Sequence, residues 1–97
     1  MVVISKTTIN KFIENNPRSR DSLLRWYLIV KERNWANYSE LKQSFPKADF
    51  VGNGLYVFDV GGNKFRVIAR IIFSVRTVFI RFVGTHKEYD NIKMSDF

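Results

Sequence analysis

Apolar residues in the first half of the chain recur at helical spacing. Ile9, Phe12 and Ile13 make one apolar face, which predicts an amphipathic helix with Thr7 or Thr8 as its cap. Asn15-Asn16-Pro17 should end it, because proline cannot continue a helix. A longer run follows, in which Leu23, Leu24, Tyr27 and Val30 or Leu28 form a stripe, while Arg18, Arg20, Arg25, Lys31 and Arg33 face solvent. The two segments are expected to pair as a helical hairpin. A short third turn is expected over Ser39-Glu40-Leu41-Lys42-Gln43, with Ser39 as its cap and Pro46 limiting its length.

The period changes from Asp49 onward, where β-branched and aromatic residues dominate and Gly52-Asn53-Gly54 and Gly61-Gly62-Asn63 supply turn chemistry. Strands are predicted at about 55–60, 64–73 and 77–84, joined as an antiparallel meander. Val2-Val3-Ile4 can add an edge strand. The expected architecture is a single α+β domain over residues 1–97, an N-terminal helical hairpin packed on a small antiparallel sheet. No repeat, linker or low-complexity tract divides it.

Composition supports folding and narrows the partners. The chain has 97 residues, 45% of them hydrophobic and 15% aromatic, enough apolar surface for one core but not for two. Lysine and arginine number 16 against nine acidic residues, a formal charge of +7. Such a field favours an anionic partner, nucleic acid first, with an acidic protein or a membrane surface as rivals. There is no cysteine and one histidine, so thiolate chemistry and zinc are not expected. No cofactor is implied, because Gly61-Gly62-Asn63-Lys64 lacks the phosphate-loop spacing and Gly52-Asn53-Gly54 the dinucleotide fingerprint. The start of the chain lacks the apolar core of a signal peptide, so the cytoplasm is the expected compartment, with no membrane partner.

The charge is concentrated. Between Val60 and Lys87 lie Lys64, Arg66, Arg70, Arg76, Arg81 and Lys87 with no acidic residue among them. Alternation along a strand puts Lys64, Arg66 and Arg70 on one face and Phe65, Val67, Ala69, Ile71 and Phe73 on the other. A solvated sheet face could carry acidic residues equally well. Their absence points to an anion-binding face, where arginine can grip a phosphate with two hydrogen bonds. Lys64, Arg70 and Arg76 are taken as RNA-binding candidates. Tyr56, Phe58 and Phe79 could stack on a base but are better explained as core, and Trp26 and Trp35 are read as packing residues.

The single histidine, His86, follows these strands directly in Gly84-Thr85-His86-Lys87-Glu88-Tyr89-Asp90. A lone surface histidine is more often incidental than functional. Here a helical turn would set Tyr89 and Asp90 on its side, and imidazole suits acid–base work near neutral pH. Cleavage of RNA without a metal needs a base for the 2′-hydroxyl, an acid for the leaving 5′-oxygen, and cations for the phosphorane. His86 is the first choice for acid or base. Arg66 and Arg81 would stabilise developing charge, Tyr89 would stack or hydrogen-bond at the scissile nucleotide, and Lys87 would assist as a charge or a proton-transfer partner. Simple alternation groups Arg81 with Phe79 and Val83, so its place relative to Arg66 depends on strand register.

Two stretches, Leu55-Tyr56-Val57-Phe58-Asp59-Val60-Gly61-Gly62-Asn63-Lys64-Phe65-Arg66-Val67 and Thr85-His86-Lys87-Glu88-Tyr89-Asp90, resemble the HigB toxins of type II toxin–antitoxin modules, within the wider RelE-like group. The resemblance implies a RelE-like fold and a cytoplasmic mRNA interferase, an endoribonuclease that cuts messages on translating ribosomes. It implies a HigA-type antitoxin as partner and operator DNA bound only through the antitoxin complex. By position, Arg66 and His86 are the strongest functional matches, Arg81 and Tyr89 come next, and Lys64 and Lys87 are weaker.

Two other readings compete. The same basic sheet could bind RNA, ribosome or antitoxin without cleaving anything. Direct DNA binding through Arg18, Arg20 and Arg25 is a further option, since phosphate affinity is easily acquired, but no base-reading pattern accompanies it.

Overall fold

A computed structural model describes residues 1–97. In chain order the elements are β1 (Val2–Ile4), α1 (Lys6–Asn15), α2 (Arg20–Glu32), α3 (Tyr38–Ser44), β2 (Asp49–Phe50), β3 (Leu55–Val60), β4 (Phe65–Ile72), β5 (Thr77–Thr85) and α4 (His86–Asp90). Short 3₁₀ turns cover Pro17–Ser19, Phe73–Val75 and Met94–Asp96. The α+β expectation holds, and the three main strands lie within about a residue or two of their predicted limits.

The five strands run in the order β1-β5-β4-β3-β2. The meander β2–β5 is antiparallel, but β1 joins β5 in parallel, so the sheet is mixed. The reason is topological: β1 leads into α1 and α2, which cross one face before the chain enters the meander, and its direction is thereby set. The two-residue strand β2 was not anticipated, because two exposed residues carry no readable alternation.

Helix starts depart from expectation for identifiable reasons. α1 begins at Lys6 with Ser5 before it in the left-handed region (φ 74°), because the chain leaves β1 through a sharp corner; Thr7 and Thr8 lie inside the helix. α3 is capped by Asn37, whose side chain accepts from the Glu40 amide at 3.0 Å, while Glu40 accepts from the Ala36 amide at 2.6 Å. That paired arrangement uses Asn37 and Glu40 three residues apart, and Ser39 becomes a helical residue instead of the cap.

α1 and α2 cover one face of the sheet. Ile9, Leu23, Trp26 and Val30 from the helices meet Tyr56, Phe58, Val67, Ala69, Ile71, Val78 and Ile80 from the strands in one buried cluster. Trp26 meets Phe58 edge to face at 5.2 Å, and Phe45 does the same at 5.3 Å, contacts worth about 0.5–1.5 kcal/mol each beyond area burial. Tyr56, Phe58, Trp26 and Trp35 are therefore core, as expected. Leu28 is exposed, and Trp26 takes its place in the stripe.

The other face is not the plain wet surface that its basic residues suggested. Leu55, Val57 and Ile68 form a second buried cluster, covered by Phe82, Tyr89, Ile92, Met94 and Phe97. α4 and the residues after it thus fold back across this face. A sequence signal existed: Leu55-Tyr56-Val57-Phe58 is apolar at every position, the mark of a strand covered on both sides.

Candidate active site

Strand register builds the site. Gly61 and Gly62, at φ 66° and 69°, turn the chain with a backbone that other residues adopt only under strain, and the resulting hairpin sets Asp59 opposite Arg66. On its other side Arg66 faces Gly84 of β5. Thr85 caps α4 in a reciprocal box with Glu88, so His86 begins a helical turn immediately beyond the strand, and its amide donates to the Lys64 carbonyl at 3.0 Å.

Arg66 is 7% exposed, which for an arginine requires partners. Its Nε lies 3.1 Å from Asp59 Oδ1; its terminal nitrogens donate to Asn63 Oδ1 at 2.6 Å, the Phe65 carbonyl at 3.1 Å and the Asn63 carbonyl at 3.4 Å. The Tyr89 ring lies 5.8 Å from the guanidinium carbon, within cation–π range. His86 Nδ1 lies 3.3 Å from Asp90 Oδ2, although the geometry is not that of a hydrogen bond. The His86 side chain is 43% exposed, open to a substrate.

Register explains Gly84. A Cβ at this position would collide with the Phe82 ring and lie 3.3 Å from the Glu88 Cβ, so the bare glycine lets the Phe82 ring lie over the strand and α4 sit close to it. A bulge opposite Ile68 and Ala69 pairs them with Phe82 and Ile80 and leaves Arg81 between. Phe79, opposite Arg70, and Val83, in the helix-side cluster, consequently fall on different faces, and simple alternation fails here. Arg81 is exposed.

Arg66, His86, Tyr89 and Lys64 are brought together, with Lys87 exposed beside them on α4. Lys64 lies in the turn and not in β4. The other candidates are elsewhere. Arg70 donates to the Asn53 carbonyl and, at 3.0 Å, to the Phe97 backbone oxygen. Arg76, in the left-handed region, donates to the Phe73 carbonyl at the opposite end of β5, about 20 Å from Arg66 at the usual rise of a strand. Asp59 and Asn63 were missed. Hairpin arithmetic would have found Asp59 had β4 been started at Phe65 rather than at 64. No three His, Asp or Glu side chains converge in a way that could hold a metal ion, and no helix is long and apolar enough to cross a membrane.

The family model of the HigB toxin, a RelE-like toxic component of a toxin–antitoxin system, matches residues 19–92. The chain belongs to the HigB toxin family. It is 34% identical over 94 residues to the mRNA interferase HigB of Escherichia coli O6:H1, covering 95% of this chain and 91% of that one. Against the mRNA interferase toxin HigB of Escherichia coli K12 the identity is 33% over 92 residues, covering 93% and 88%. The matched HigB region spans Asp59, Arg66, Arg81, His86 and Tyr89 together, so the whole candidate site lies inside it.

Proposed function

We propose that this chain is the toxin of a type II toxin–antitoxin module, an endoribonuclease that cleaves messenger RNA, on translating ribosomes, in the cytoplasm. The observation that carries the reading is near full-length similarity to proteins named mRNA interferase HigB. A HigA-type antitoxin is the cognate partner, and operator DNA is met only through the complex with it.

In the proposed reaction the 2′-oxygen attacks the adjacent phosphorus without a metal. The 2′-hydroxyl loses its proton to a base, the 2′-O–P bond forms, and the P–O5′ bond breaks as the 5′-oxygen takes up a proton. The products are a 2′,3′-cyclic phosphate and a 5′-hydroxyl. His86 exchanges one of these protons; the Asp90 carboxylate lies 3.3 Å from its Nδ1. Arg66 supplies positive charge to the phosphorane. Asp59 and Asn63 hold its guanidinium in place beforehand, which lowers the reorganisation needed in the transition state. Tyr89 packs on Arg66 and stacks on a base; Arg81, Lys64 and Lys87 add charge along the RNA path.

Expression of wild type and His86→Ala in a bacterium, with 5′ ends mapped inside reading frames, tests the reading. The wild type is expected to arrest growth and cut messages, and the folded variant to do neither. Two folded proteins that leave messages intact would replace the ribonuclease with a module that only binds RNA, ribosome or antitoxin. Cleavage of a 2′-deoxy substrate would overturn the 2′-hydroxyl mechanism.

A further inference from the structure

β2 pairs with β3 only at Tyr56 and Val57, so the outer edge of β3 is free from Phe58 onward. Two cavities of about 270 Å³ each lie along this edge and share Phe45 and Asp59. One is walled by Lys47 and Phe58, the other by Arg25, Trp26 and Gly61. They adjoin at these two residues and together make a groove along the edge.

We propose that this groove binds the base and phosphate of an RNA nucleotide neighbouring the scissile one, a reading that rests on RNA being the substrate. Three features select that chemistry. Arg25 and Lys47 are exposed cations, and neither belongs to the two ion pairs of the protein, so both are free for a phosphate. Between them lies half-buried Phe45, which lines both cavities and offers an aromatic surface to a base. Trp26 is 2% exposed and its indole N–H has no acceptor, an uncommon state for a buried donor that a base oxygen or nitrogen would relieve.

The single acidic wall residue, Asp59, is already paired with Arg66 at 3.1 Å, so it repels an anion little. The same contact ties the groove to the candidate reaction centre, one wall serving both. RNA crossing from Arg66 over the β3 edge enters the groove directly.

Titration of the intact chain with uridine and adenosine 5′-monophosphate, followed in ¹H–¹⁵N spectra, tests this. The protein has two indole signals; the Trp35 N–H already donates to Ser44 Oγ at 3.0 Å, at the Lys47 end of the groove, so its signal reports that end only and sets the baseline for Trp26. The Trp26 signal, assigned by its loss in Trp26→Phe, is expected to move saturably and further than that of Trp35. Arg25→Gln, at an exposed position that leaves folding intact, is expected to weaken binding about tenfold. The proposal is overturned if neither nucleotide moves the Trp26 signal, if ribose 5-phosphate moves it equally far, or if Arg25→Gln and Lys47→Gln both leave affinity unchanged. An acidic peptide that moves the signal where nucleotides do not would also overturn it, assigning the groove to a protein partner. A chain that cuts RNA without this shift overturns the groove alone; one that shows the shift without cutting RNA overturns the ribonuclease.

Discussion

The two ends of the β4–β5 ribbon carry the same residue type in different employment. At the Thr85 end, Arg66 is buried, gripped by Asp59 and Asn63, and faced by Tyr89 of α4. At the Thr77 end, Arg70 and Arg76 hold backbone carbonyls of the Asn53 turn, the C-terminal segment and the Phe73 turn. Local sequence makes all three look like phosphate ligands. The difference lies in their partners: Arg66 also holds the Asp59 and Asn63 side chains and faces Tyr89 of the turn that begins at His86, whereas Arg70 and Arg76 bond backbone oxygens alone.

The sharpest test of that contrast removes His86. Loss of a general acid or base costs about 10²–10⁴-fold in cleavage rate, and His86→Ala is expected to fall in that range in single-turnover assays. Its thermal stability is expected to stay close to wild type, since the side chain is 43% exposed. A rate within threefold of wild type would remove His86 from the chemistry and shift the proton transfer to Lys87 or Tyr89.

Arg66→Ala follows, with an expected loss of about 10²–10³-fold, the usual cost of one transition-state charge stabiliser. Unlike His86→Ala, it should also lower stability, by about 1–2 kcal/mol, because Asp59 and Asn63 are left without their donor. Arg66→Lys is expected to recover little, since an ammonium cannot span four acceptors arranged for a planar fork. Denaturant unfolding beside the cleavage assay separates the two effects. Loss of stability with full activity would make Arg66 a structural residue like those at the far end.

Gly84→Ala probes how the active end is assembled without altering any charged group. The new methyl meets the Phe82 ring, so Phe82 and α4 must shift, with an expected cost of about 1–3 kcal/mol as in other overpacked sites. Cleavage should fall further than stability alone explains, because α4 carries both His86 and Tyr89. A variant with normal stability and activity would show that α4 is not held by this contact.

How much of this was readable from sequence differs between the two ends. Strands from 55 to 84 followed from β-branched and aromatic residues between Gly-rich turns, and the spacing of a helical turn after them grouped His86, Tyr89 and Asp90. Asp59 was not, because a strand start moved by one residue changes every cross-strand partner. The bulge at Arg81 was invisible for a related cause: it depends on how β5 pairs with β4, not on either strand alone. Ile92, Met94 and Phe97 are too sparse to show periodicity, yet they cover Leu55 and Ile68 and turn Arg70 from a surface cation into an anchor for the tail.

Arg70→Ala tests that last assignment and carries a small expected effect. Removing its hydrogen bonds to Asn53 and Phe97 should cost about 1 kcal/mol, with faster proteolysis after Tyr89 as the tail loosens, while cleavage stays within about threefold of wild type. The comparison with Arg66 makes the outcome decisive. If Arg70→Ala weakens RNA binding in proportion to its charge and leaves the tail protected, the far end of the ribbon belongs to the RNA path, and the site extends along β4 instead of ending at α4. If the tail loosens and RNA binding holds, the tail's hold on Leu55 and Ile68 accounts for Arg70, and the cationic path to the reaction centre runs through Arg66, Lys64 and the free edge of β3.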